Sequence, residues 1–402
     1  MPRRPPIAPV RTLRVALLTA FTLALVPAAA SAAFAPPSRP GPSLSVPAAR
    51  LAASLRCVGT LRGAAHAPVL LVPGTALNPA TDYGYGWEPA LSKLGWPYCT
   101  VSLPSNGMGD IQVAGEYVVN AIRTMHAAYG GRIDVVGHSQ GGMVPRWALR
   151  FWPDTRAMVD DLVGLSPSNH GTLDAIPVCA QSCAPAFWQQ RSNAAFIAAV
   201  NSAQETFPGI SYTNVYTDTD EVVVPNFGPA ASSTLSGGGG AIANIAIQSV
   251  CPADLTEHIG IGIYDNTAYQ LALDALTHPG PANPSRVAAT TCLSPLMPGI
   301  DPGTFAANYA STVASVANTV ATSPRTTSEP PLACYVTATC PTGRAASQKR
   351  TASQKRTAAA RSARRSAPSR ATRKDVARQH RTRGRSRPTT PSSPLAYAAS
   401  RN

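Results

Sequence analysis

The chain has 402 residues, 44% hydrophobic and 13% charged, which suits one large or two medium domains with a sizeable core and excludes a wholly disordered chain. Its formal net charge of +14 sits at one end. Residues 344–402 carry seventeen Lys or Arg against the single acid Asp375, whereas residues 34–343 hold thirteen basic and nineteen acidic side chains, so the folded body is not a nucleic-acid binder by charge.

In chain order, Arg3, Arg4, Arg11 and Arg14 flank or precede an apolar run and then small residues through Ala33. That pattern predicts a secretory signal peptide over 1–33, cut after Ala32 or Ala33. The run is too short for a membrane anchor, which needs about 20 residues. A Pro/Ala-rich lead-in covers 34–50, and a catalytic domain is expected over 51–341. Within it, Val69–Val72 reads as a buried strand stopped by Pro73-Gly74, and 99–103 as a second, stopped by Pro104. Ile111–Tyr129 has apolar residues at helical spacing. A third strand at 133–136 leads to a helix over Gln140–Phe151, with further strands at 162–165 and 214–216. Residues 237–240, all glycine, read as a loop, and 306–321 as a small-residue helix packing onto the core. Strand and helix alternate and the strands are apolar throughout, which predicts an α/β fold with a mostly parallel, doubly covered sheet in a single domain. The remainder, 342–402, repeats "ASQKRT" and holds little apolar bulk; a disordered basic tail able to touch anionic surfaces is expected.

Gly137-His138-Ser139-Gln140-Gly141 fits G-x-S-x-G between a strand and a helix, the setting of a nucleophile elbow. A serine needs a base, and the order expected in this architecture is Ser, acid, His. His170 follows Ser139 too soon, His278 lies in a Pro-rich loop and His380 in the tail, so His258 is the candidate base. Asp218, Asp220 and Glu221, after the 214–216 strand, are all candidate acids. Oxyanion donors are expected from the N–H of Gln140 and from the Gly74-Thr75 turn. Eight cysteines, an even number after a leader, point to disulfides rather than zinc, because no metal-ligand spacing is present.

These stretches, with "QVAGEYVVNAI" (112–122), "HSQGGMVPRWALRFWP" (138–153), "FWQQ" (187–190), "VYTDTDEVVVP" (215–225) and the "EH" of 257–258, resemble the Candida antarctica lipase B-like family of the α/β-hydrolase superfamily, from about Cys57 to Cys340. The resemblance implies Ser139 as nucleophile, His258 as base, Asp220 as orienting acid, and Thr75 and Gln140 as the oxyanion hole. It implies the disulfides Cys57–Cys99, Cys251–Cys292 and Cys334–Cys340. Cys179 and Cys183 have no counterpart there and are expected to bridge each other. His138 stands where the family pattern has Trp, and Ser168 where it has Asp; both are read as pocket residues. Phe187, Trp188, Ile259, Ile261 and Ile263 are candidates to receive acyl chains. The expected protein is a secreted, monomeric triacylglycerol lipase acting on ester substrates without cofactor or metal. The alternative is a short-chain esterase, polyester depolymerase or acyltransferase on the same scaffold.

Overall fold

The computed structural model describes residues 33–340. The expected signal peptide, apart from Ala33, and the expected basic tail lie outside the described residues.

Seven strands form one sheet in the order β1-β3-β2-β4-β5-β6-β7. They are β1 (Leu55–Val58), β2 (Val69–Val72), β3 (Tyr98–Val101), β4 (Ile133–His138), β5 (Val159–Leu165), β6 (Ser211–Tyr216) and β7 (Ala241–Ala246). Only β1 runs antiparallel, pairing with β3. All residues of β2, β3 and β4 are buried, as strands covered on both faces must be. Successive side chains feed opposite cores: Leu70, Val72 and Val135 join one cluster, and Leu71, Val136 and Val163 the other. Burying each such side chain is worth about 1.5–3 kcal/mol.

Six helices matter most to the geometry at the sheet's C-terminal edge: α1 (Pro79–Asp82), α2 (Ile111–Tyr129), α3 (Gln140–Phe151), α4 (His258–Ile263), α5 (Asn266–Thr277) and α6 (Pro302–Thr322). The amphipathic α2 begins where the Asp110 carboxylate accepts from the Gln112 N–H, and it stops at Gly130, whose φ of 87° suits glycine. It puts Val118, Ile122 and Met125 against Trp147 of α3 in one cluster, while Leu271 and Ala275 of α5 pack on the other face.

Two expectations need correction. The edge strands β1 and β7 lie where no strand was expected. All their residues but Ile245 are exposed or half-exposed, and neither strand has the continuous apolar run that marks a doubly covered strand. The 306–321 helix exists, as part of α6, and packs onto a small apolar cluster through the half-buried Val316 and Val320, although among its residues only Thr312 is fully buried. It lies beside an apolar cleft, held by bonds from the Thr312 hydroxyl to the Thr81 carbonyl (3.2 Å) and from the Tyr309 hydroxyl to Glu257 (2.6 Å).

All eight cysteines pair, as Cys57–Cys99, Cys179–Cys183, Cys251–Cys292 and Cys334–Cys340. The first bridge staples β1 to β3 between directly opposed residues.

Candidate active site

β4 delivers Ser139 at the C-terminal edge of the sheet, and α3 starts with the next residue. Ser139 has φ 54° and ψ −122°, a conformation costly for a residue with a side chain and held only when its surroundings over-determine it. Two glycines permit it. A Cβ on Gly137 would lie 2.0 Å from the Gly141 carbonyl oxygen, and one on Gly141 would lie 1.9 Å from that of Val72. The G-x-S-x-G spacing is therefore a packing requirement of strand, turn and helix.

The Ser139 hydroxyl lies 2.9 Å from Nε2 of His258, and Nδ1 of that ring lies 2.9 Å from Oδ2 of Asp220. All three residues are buried or nearly so. Asp220 is in turn fixed by the loop after β6. Its Oδ1 accepts from the N–H groups of Val222 (3.0 Å) and Val223 (2.7 Å), and its Oδ2 from the Asn226 amide (2.9 Å). Burial alone would raise its pKa. The neighbouring His258 imidazole and the Val223 N–H outweigh burial and hold the carboxyl below its ordinary value. The other two candidate acids are elsewhere: Asp218 is exposed, and Glu221 accepts from the backbone N–H of His258 at 3.1 Å. His170 pairs with Glu205 and His278 with Asp274.

Thr75 and Ser139 both line a cleft of about 230 Å³. Its hydroxyl oxygen accepts from Nε2 of Gln140 (3.0 Å) and from Nε2 of Gln190 (2.9 Å). A hydroxyl has two lone pairs, and both are used, so its proton is free to donate into the cleft. Gln140 is the first residue of α3, where a backbone N–H has no intrahelical acceptor and the helix dipole favours negative charge. A hydroxyl donor thus lines the cleft with Ser139, and a backbone donor follows the serine directly in the chain.

Apart from Thr172 and Gln190, the rest of the cleft is apolar, lined by residues such as Leu77, Ala175, Phe187, Val222, Ile259 and Val316. Four residues expected there are not part of the lining. The Trp188 indole donates to the Thr326 carbonyl (3.0 Å). Ile261 and Ile263 point into the core. Ser168 is buried and donates to Oε1 of Gln190 (3.0 Å). His138 borders the cleft but is fully buried, bonded to Asp82 and to the His258 carbonyl. Sequence reasoning missed Gln190, which orients Thr75, and Asn226, which orients Asp220. The only signal for Gln190 was its membership of "FWQQ". It also passed over Asp134, Asp160 and Asp161, whose carboxylates gather within 4.8 Å at the opposite end of β4 and β5. That cluster lies beside the Arg132 guanidinium, which pairs with Asp160, and away from the cleft.

No protein-family model matches the chain. Over 229 residues it is 36% identical to lipase B of Pseudozyma antarctica, a match covering 56% of this chain and 66% of that protein, just under two thirds of its length. It superposes on the crystal structure of Aspergillus fumigatus lipase B with a TM-score of 0.67 and 30% identity, covering 74% of each chain.

Proposed function

Since the chain belongs to the lipase B family of α/β-hydrolases, we propose that it is a serine carboxylic ester hydrolase, a lipase that releases fatty acids from acylglycerols. The observation that carries this reading is the hydrogen-bonded line Ser139–His258–Asp220 beside an apolar cleft. In the proposed cycle, the Ser139 oxygen attacks the ester carbonyl carbon as Nε2 of His258 takes its proton. Asp220 stabilises the imidazolium and fixes the tautomer. The carbonyl oxygen becomes an oxyanion that receives the Gln140 N–H and the Thr75 donors. Collapse of this intermediate breaks the ester C–O bond, and His258 returns the proton to the departing alcohol. Water, deprotonated by the same histidine, then attacks the acyl-serine, and the acid leaves with Ser139 restored.

Export supports the same picture. An apolar leader with flanking arginines and four disulfides suit an oxidising, extracellular setting. The apolar lining favours acyl chains over polar substituents. The test is hydrolysis of a p-nitrophenyl ester series, from acetate to palmitate, by the full chain and by Ser139→Ala. Loss of kcat on the order of a million-fold is expected in the variant. A variant retaining most of its activity would refute the serine. Turnover confined to acetate and butyrate would make the enzyme a short-chain esterase rather than a lipase.

A further inference from the structure

The residue before the serine has a bonding pattern that the acyl-transfer cycle does not use. His138 is the last residue of β4 and has no exposed surface. Its Nδ1 lies 2.8 Å from Oδ1 of Asp82, itself fully buried at the end of α1. Its Nε2 lies 2.9 Å from the backbone carbonyl oxygen of His258. The second oxygen of Asp82 is already occupied, accepting from the Gly74 N–H at 2.8 Å. Gly74 immediately precedes Thr75.

Protons can be counted from these contacts. A carbonyl oxygen only accepts, so Nε2 must carry a hydrogen. A carboxylate oxygen also only accepts, so Nδ1 needs one too, or Asp82 must carry it instead. Either way the pair retains one more proton than a neutral imidazole beside a carboxylate, and its net charge is zero. A lone buried ion would be costly, whereas a paired and fully hydrogen-bonded one is tolerated. The surroundings are built for the ring. A Cβ on Gly262 of α4 would come within 2.2 Å of His138 Cγ, so glycine there lets α4 lie flat on the imidazole. The charged and titratable groups around His138 are Asp82 and Tyr83 from α1 and its end, His258 from α4, and Asp220 from the loop after β6.

We propose that His138, held with Asp82 as a proton-retaining, net-neutral clamp, is the positioning residue that locks the catalytic histidine's helix and the oxyanion turn to the nucleophile's strand. It rests on the ester-hydrolase reading only for its kinetic consequence. One end of the clamp holds the His258 backbone and the other holds Gly74, while His138 is covalently next to Ser139. The nucleophile, the base and the oxyanion donors are thereby fixed relative to one another through two side chains. Burial opposes the charged ring, but the Asp82 carboxylate, the His258 carbonyl and Asp220 outweigh it and raise the histidine's pKa above its ordinary value. The clamp therefore loses a bond as pH rises through that raised value.

Asp82→Asn separates charge from shape. The asparagine oxygen can still accept from Gly74, its amide can donate to a bare Nδ1, and Nε2–H can still reach His258. The variant needs no extra proton. The experiment has two arms on the full chain. In the first, nitrogen NMR of histidine-labelled protein reads ring protonation at pH 8, where an ordinary histidine with pKa near 6.5 is neutral. One histidine protonated on both nitrogens is expected in the wild type, and its loss in Asp82→Asn. If every histidine is singly protonated at pH 8 and the Asp82 side-chain carbon, read in aspartate-labelled protein, has the shift of a carboxylate, the clamp is refuted. In the second arm, His138→Leu is expected to lower kcat about 100-fold, the scale of a catalytic group displaced by about 1 Å, with KM within twofold. The alkaline fall in wild-type kcat is expected to flatten in Asp82→Asn. A folded His138→Leu within threefold of wild-type kcat, or an Asp82→Asn profile that keeps the wild-type alkaline limb, would overturn the positioning role. The NMR arm does not depend on turnover, so a protein inactive on esters would count against the reaction and leave the proton count to be decided by that arm.

Discussion

Replacing Thr75 by Val removes one hydroxyl at nearly constant volume and isolates a single oxyanion donor. The effect on folding should be small. Nε2 of Gln140 keeps its bond to the Gly107 carbonyl (2.9 Å), and Nε2 of Gln190 keeps the Ala186 carbonyl (3.2 Å). Neither amide nitrogen is orphaned, so the stability loss should stay near 1 kcal/mol, about the net worth of an ordinary hydrogen bond. The effect on the reaction should be larger. A preorganised donor aimed at the developing oxyanion is worth about 2.7–4 kcal/mol, so kcat should fall by about 10²–10³. KM should barely move, because the ground-state carbonyl carries little of that charge. Steady-state kinetics on p-nitrophenyl butyrate, with urea unfolding alongside, measures both quantities. Thr75→Ser, which keeps the hydroxyl, should restore most of kcat. A valine variant within threefold of wild type, or a serine variant as poor as the valine, would refute the hydroxyl as an oxyanion donor.

Two further outcomes are expected. Gly141→Ala places a methyl 1.9 Å from the Val72 carbonyl oxygen, and backbone on both sides cannot yield cheaply; a loss of about 3 kcal/mol or more is expected in urea unfolding, and a wild-type midpoint would refute the close-packed elbow. Burial, together with the charges of the neighbouring aspartates, raises Asp134 to about 7 and Asp161 to about 8, from an ordinary value of 3.8. Raised carboxyl groups contribute stability that is complete below their unfolded values and lost as pH rises through the folded ones. Their contribution should therefore decline as pH rises from about 4 to about 8 and level off above, and Asp161→Asn should flatten that decline; parallel stability curves for the two proteins would contradict the clustered carboxyls.

The sequence carried the site's frame because its local rules and its global fold agree. An apolar strand, a G-x-S-x-G turn and an amphipathic helix can hardly be arranged otherwise, and "GHSQG" stands where they meet. His258 was singled out by elimination among histidines, and the structure brings its ring to Ser139. The acid was not: Asp218, Asp220 and Glu221 are equivalent by spacing, and only the resemblance preferred Asp220. What separates them is three-dimensional, since the loop after β6 turns two backbone N–H groups and Asn226 onto one carboxylate. His138 was legible as a departure from the family pattern, but its partner lies 56 residues earlier, beyond the reach of any periodicity. The edge strands were hidden for another reason. A half-exposed β1 and an alanine-rich β7 lack the apolar signature of their central neighbours. Trp188 and Ile261 looked like pocket residues because hydrophobicity alone does not say which side of a helix faces a cavity.

Glu257 joins the helix that begins with His258 to the wall of the cleft. Its carboxylate caps the helix that begins with His258, accepting from the N–H groups of Ile259 (2.7 Å) and Gly260 (2.9 Å). The same carboxylate receives the Tyr309 hydroxyl from α6, the helix whose Val316 and Val320 line the cleft. The wall against which a long acyl chain would press is therefore tethered to the cap of the helix that carries the base. Displacing that wall to admit a wider substrate would break or drag the tether, and the strain would arrive one residue from His258. If the chain hydrolyses esters as proposed, substrate girth and the alignment of His258 would be linked through the Glu257 carboxylate.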